Sequence, residues 1–247
     1  MYSVNNKIDF SNLLSSVKAK NLLHHLSELT NNNEAAFTDS MKIEKSERLR
    51  KWKSEWQNLS TIKANSHTRP SFDDIERIST NWLIQLFNVL FAEQKVVLAR
   101  SAREPEYFPA RDNQPARIEF ANGFFASALH ELSHWCVAGK RRRTLSDFGY
   151  WYAPDGRSAA QQLAFEHVEI KPQALECLFT LACGGYFQVS QDNLFAEFDT
   201  SGSTFANDVY LQVETYIAKP DTLPNDAKTL LLTLLSVCSS DSGVFSF

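Results

Sequence analysis

His130, Glu131 and His134 fall in the stretch ALHELSHWC, residues 128–136, and spell H-E-x-x-H. Two histidines four residues apart on an α-helix stand one turn apart on one face, so both imidazoles can grip a single divalent metal ion. The other face carries Ala128, Leu132, Trp135 and Cys136, which can bury in a core. The motif therefore reads as part of an amphipathic helix. In a zinc peptidase the intervening glutamate activates a metal-bound water, and Glu131 is placed for that work.

Such a metal needs a third protein ligand. Glu169 lies 35 residues beyond His134, inside FEHVEIKPQALE. A glutamate on a following helix completes many sites of this type. Gln173, one turn after Glu169, is placed to support the ligands from behind. Glu166, three residues before Glu169 on the same helix face, is the alternative ligand. His167 points elsewhere if Glu169 faces the metal, and reads as a structural histidine. Two imidazoles and a carboxylate serve non-haem iron oxygenases and zinc peptidases alike, so the residue types leave the metal open.

The elements that must carry these groups are legible in outline. Residues 120–138 form the motif helix, with Gly139 as its stop. Ser158 with Gln161 three residues later is a capping box for the next helix, which runs toward Pro172 and continues, kinked or restarted, to Gly184-Gly185. Between the two, DFGYWY reads as an aromatic strand that leads into the turn Pro154-Asp155-Gly156. Upstream, KVVLA and ARIEF are β-prone pieces broken by Pro105, Pro109 and Pro115, which predicts two strands. Ser71 and Asp74 open another helix, whose stripe runs Ile75, Ile78, Trp82, Leu86, Leu90. Two further amphipathic stretches follow at 204–218 and 225–238. The fold class expected is α+β: a helix pair carrying the H-E-x-x-H site beside a small sheet.

Residues 1–70 read as an N-terminal helical extension with a linker, ahead of a metal-dependent domain over 71–247. Phe10, Leu13, Leu14, Val17, Leu22, Leu23, Leu26 and Leu29 recur at helical spacing. After the polar break NNNEAAFTDS, the charged segment 41–59 lines up Ile43, Leu49, Trp52, Trp56 and Leu59, as a surface helix with one packed face would. Residues 60–70 read as the linker.

Composition narrows the class. Hydrophobic residues make up 43% and charged residues 22% of the 247, an ordinary globular balance, and 18 phenylalanines point to a core rich in rings. A net charge of −4 and a pI near 5.9 give no basic field for nucleic acid. The start MYSVNNKIDF does not read as a secretory signal, and apolar runs such as LLLTLL at 230–235 are too short to span a bilayer. Cys136, Cys177, Cys183 and Cys238 form no C-x-x-C pair and fit buried, reduced thiols of a cytoplasmic protein.

Beyond the five-residue motif, the run NGFFASALHELSHWCVAGKRRRTLSDFGYWYAPDGRSAAQQLAFEHVEIKPQALE, residues 122–176, resembles the elongation factor P hydroxylase family. The likeness extends through QVSQDNL and covers roughly residue 71 to the C-terminal region. Asn122 stands where the family pattern has a histidine, and residues 1–70 have no counterpart. The resemblance implies a bacterial cytoplasmic oxygenase that hydroxylates the β-lysyl-modified lysine of elongation factor P. It also implies a fold other than the double-stranded β-helix of most such hydroxylases. His130, His134 and Glu169 would hold the metal, with Fe(II) as the ion and molecular oxygen as co-substrate.

A substrate side chain with two ammonium groups wants carboxylates and ring faces around it. Glu131, Asp147 and Tyr150 are the candidate catalytic groups, and Trp151, Asp155 and Glu166 candidate substrate contacts. Tyr150, Trp151 and Tyr152 supply rings, although the plainer reading of that trio is packing. Lys140 to Arg143 form a basic run, usually a solvated face. Arg141 and Arg142 in it could also steer an acidic partner. Two readings compete with hydroxylation: a zinc metallopeptidase, and a metal-stabilised interaction module without catalysis.

Overall fold

The computed structural model describes residues 8–31, 39–64, 71–150 and 155–238. Among these residues, seven α-helices surround one three-stranded sheet, so the class is α+β. In chain order they are α1 (Ser16–Asn31), α2 (Asp39–Ala64), α3 (Phe72–Leu90), β1 (Val96–Ser101), β2 (Glu106–Phe108), β3 (Ala116–Ala121), α4 (Phe125–Arg142), α5 (Ala159–Ala182), α6 (Phe205–Ala218) and α7 (Asn225–Cys238). No helix among them is long and apolar enough to cross a membrane.

The sheet has the order β1-β3-β2, with β3 parallel to β1 and antiparallel to β2. Side chains of β3 alternate as a half-buried strand requires: Ala116, Ile118 and Phe120 are buried, while Arg117 and Glu119 lie on the other face. Asn88 of α3 closes the free edge of β1, its side-chain Oδ1 accepting from Leu98 N at 2.7 Å. The two β-prone pieces are thus strands, but β2 is a third that was not expected. It is three residues long, too short to show a period of its own.

The motif helix begins at Phe125 rather than near residue 120, because ARIEF extends as β3 to Ala121. Asn122 and Gly123 then take left-handed φ of 56° and 76° and turn the chain into the helix. The helix has no side-chain cap of its own. Instead Glu76 of α3 accepts from Phe125 N at 2.6 Å, a carboxylate at a helix N-terminus supplied from a neighbour. Gly139, at φ 67°, breaks the regular spiral as its position predicts.

Three expectations need correction. DFGYWY does not open as a strand. Ser146–Gly149 is a 3₁₀ turn in which Asp147 and Phe148 both adopt left-handed φ, of 46° and 56°. The turn is held from outside: Tyr107 N donates to Asp147 Oδ1 at 2.9 Å, and the Phe148 ring stacks on Tyr107 at 4.2 Å. Trp151 and Tyr152 lie outside the described residues. Second, α5 is one helix through Pro172, not two. Third, residues 60–64 belong to α2 rather than to a linker, and 65–70 lie outside the described residues.

Trp52, Trp56 and Leu59 of α2 are buried, as their stripe predicts. Ile43 falls in α2, but its side chain lies outside the described residues. Trp56 packs at 4.5 Å on Trp82 of α3 and at 6.0 Å on Phe125, the first residue of the motif helix. At the centre, α7 touches α1, α2, α4 and α5, which is why its buried face is wide and takes in Leu230, Leu231, Leu234 and Leu235. All four cysteines are buried and free of disulfides.

Candidate metal centre

α4 and α5 pack against each other. Across this interface His130 and His134 of α4 face Glu169 of α5, with donor atoms of all three within 4.8 Å of one another. His134 Nε2 stands 3.3 Å from Glu169 Oε1, and His130 Nε2 stands 3.8 Å from Glu169 Oε2. The two Nε2 atoms are 3.0 Å apart. Two imine lone pairs cannot face each other at that distance without a proton or a cation between them. Glu169 is 2% exposed, and its Oε2 has no hydrogen-bond partner. A buried, unsatisfied carboxylate oxygen is costly unless a cation meets it. The donor set, its convergence and this orphaned oxygen all fit a divalent metal ion.

The electrostatics are those of a site that wants positive charge. Burial opposes protonation of His130, but Glu176, through charge and hydrogen bond, and then Glu169 and Glu131 outweigh it and push its pKa up to about 10. Burial likewise pushes Glu169 up, but His134, His130 and the hydrogen bond from Gln173 prevail and hold it down to about 2. Burial is the leading influence on Glu131 and pushes its carboxyl above the usual range, although both histidines pull the other way.

The reason α5 can carry this site lies in a polar stripe. Gln162, Glu166, Glu169, Gln173 and Glu176 are spaced four, three, four and three residues apart, which keeps them on one face through the whole helix. Gln162, Glu166, Glu169 and Gln173 are buried. Glu166 does not reach the histidines. Its Oε1 accepts from Gln162 Nε2 at 3.0 Å and Gln191 Nε2 at 3.2 Å, and its Oε2 accepts from Ser203 Oγ at 2.8 Å. Gln173 both supports Glu169 and clamps the chain at Ser190, donating to its carbonyl at 2.8 Å and accepting from its N–H at 3.1 Å. Glu176, not singled out from the sequence, lies 2.8 Å from His130 Nδ1. The heptad spacing was the signal that could have found it.

A sequence model of elongation factor P hydroxylases matches residues 86–242. The chain belongs to the elongation factor P hydroxylase family. A relative from Haemophilus influenzae, elongation factor P lysine hydroxylase, is 46% identical over 166 residues, which cover 66% of this chain and 90% of the relative. The family match starts inside α3 and takes in the sheet, α4, α5 and the metal-competent cluster.

The remaining described residues singled out in this family member are not in the cluster of three. Asp147 serves the Tyr107 amide. The Tyr150 ring lies 3.9 Å under the Arg142 guanidinium, which also donates to Phe148 O at 2.9 Å. Arg141 is exposed. Exposed Asp155 accepts from Gly156 N at 2.8 Å and Phe195 N at 3.2 Å, a turn-forming role. Trp151 lies outside the described residues. Arg157, not singled out, is 3% exposed with its guanidinium 3.9 Å over Phe165. It donates to Gln162 Oε1 at 3.0 Å and to Asp192 O, tying QVSQDNL to the start of α5.

Proposed function

We propose that this chain hydroxylates the β-lysyl-modified lysine of elongation factor P at a mononuclear centre in which His130, His134 and Glu169 hold one Fe(II) ion. The observation that carries the reading is the buried Glu169 carboxylate facing two histidine nitrogens with its Oε2 lacking any hydrogen bond, in a chain of the elongation factor P hydroxylase family. The similarity to a protein named elongation factor P lysine hydroxylase supports the enzyme class and the protein substrate. Bound Fe(II) would supply oxygen activation: one atom of molecular oxygen would enter the lysine side chain and the other would leave as water, with two electrons drawn from an external reductant. The protein would work in the cytoplasm, and the net charge of −4 gives no reason to expect direct nucleic-acid contact.

The residues of the chain divide the remaining work. Two imidazoles and one carboxylate would hold a bound ion and leave it positions for oxygen. Gln173 keeps the Glu169 carboxylate in place and fixes the 188–193 segment along the same helix. Glu131, pushed toward its protonated form by burial, can hold a proton beside the histidines. Among the described residues, none before α3 contributes a donor to the cluster of three, and we assign α1 and α2 a supporting role beneath α3 and α4.

The test is incubation of the full chain, loaded with Fe(II), with β-lysylated elongation factor P and a chemical reductant such as ascorbate, in air and under anaerobic conditions. Mass spectrometry should show the modified lysine gaining one oxygen atom in air only, with the backbone of the factor whole. Zinc substitution should inhibit. A cleaved factor, or turnover unaffected by removing oxygen, would establish the zinc peptidase reading in its place, and severe loss on Glu131→Gln would accompany it.

A further inference from the structure

We propose that Glu176 is a positioning residue of the centre: it accepts the Nδ1–H of His130 and so turns the Nε2 lone pair of that ring toward His134 and Glu169. This rests on the metal-centre reading above. His130 Nδ1 and Glu176 Oε2 are 2.8 Å apart, the length of a charge-assisted hydrogen bond. The bond joins the two helices, because Glu176 sits on α5 seven residues after Glu169, two turns along the same face, and His130 sits on α4.

The bond addresses the ring nitrogen that faces away from Glu169, so it acts on the back of the ligand. The three-donor cluster does not extend to Glu176 among the described residues. Rotation about the outer side-chain torsion of a histidine is broad and two-fold, and a half-turn would exchange nitrogen for carbon at the metal. The His130 side chain is 30% exposed and that of His134 10%, so packing restrains His130 less. The Glu176 side chain is 15% exposed, placed well enough out of water for one hydrogen bond to hold the ring. Outer carboxylates of this kind fix the tautomer and orientation of a ligating histidine and raise its basicity.

The test uses the full chain and zinc(II) alone as probe, since zinc is redox-inert and its complexes suit NMR. Affinity is read by competition with a chromophoric chelator. The wild type should bind one zinc, with the His130 Nδ1–H seen as a slowly exchanging proton in ¹⁵N-edited spectra. Glu176→Ala should keep the stoichiometry, weaken binding about 10–100-fold and lose that proton signal. Glu176→Gln keeps an acceptor oxygen without the charge and should fall between the two. If Glu176→Ala does not fold, the Gln variant decides by the same readouts. Unchanged affinity and an unchanged tautomer in the variants would overturn the role of Glu176 and leave the metal centre standing. Zero stoichiometry in both variants would make Glu176 a ligand and overturn the positioning role. A wild-type chain that binds no zinc would overturn the centre itself, and the role with it.

Discussion

Glu169 Oε1 lies 3.3 Å from His134 Nε2, while Oε2 of the same carboxylate is buried without a hydrogen-bond partner. One turn earlier, Glu166 is also buried, yet it accepts three hydrogen bonds. The two carboxylates are thus separated by what they lack. His130→Ala, His134→Ala and Glu169→Ala should each strip the metal while the chain stays folded, because two donors hold an ion too weakly. Glu166→Ala should keep the metal and cost about 1.5–3 kcal/mol of stability through its stranded donors. Metal content by mass spectrometry, paired with denaturant unfolding, separates the outcomes. Metal loss in Glu166→Ala with full occupancy in Glu169→Ala would reverse the assignment.

Trp56→Ala should cost about 3–5 kcal/mol, the range for emptying an aromatic site in a core. The ring packs between Trp82 and Phe125. The three candidate ligands stand together on α4 and α5, so the folded fraction should still bind one metal ion. Thermal unfolding with and without metal measures both effects. A loss under about 1 kcal/mol would mean that α2 is not packed as described.

Arg157→Lys should destabilise the chain by about 1.5–3 kcal/mol, the scale of hydrogen bonds to charged groups. A lysine has no planar fork to reach Gln162 and Asp192 together or to lie flat over Phe165. Hydrogen exchange should rise in residues 188–194 before it rises in α5. Uniform exchange across both would refute the clamp.

Native thiols should resist labelling. Burial pushes Cys136, Cys177 and Cys238 above the ordinary thiol range, so they hold their protons where an unfolded thiol ionises. The sign follows: below about pH 9 both states keep the protons, and above it only the unfolded chain releases them. Stability should therefore fall as pH rises beyond about 9. Maleimide labelling at pH 8, with and without denaturant, checks the first point, and unfolding midpoints between pH 8 and 10 check the second. Rapid labelling of the folded chain would count against buried thiols.

The motif helix, its break at Gly139, the Ser71 and Ser158 caps and the two C-terminal helices were legible in the sequence, because helical period and capping chemistry act over three or four residues. So was the pairing of His130 with His134, which one helical turn decides. The start of α4 was not, since its cap is Glu76, 49 residues away. Nor was the turn at Asp147, whose carboxylate holds the amide of Tyr107, 40 residues upstream. Pro172 removes one helical hydrogen bond, yet α5 runs on through a buried Pro172. Glu166 and Glu169 share one stripe of α5, and only the packing of α4 across α5 decides which carboxylate meets the histidines. Glu176 finds His130 for the same reason: helical spacing fixes which residues share a face, but only packing decides what that face touches.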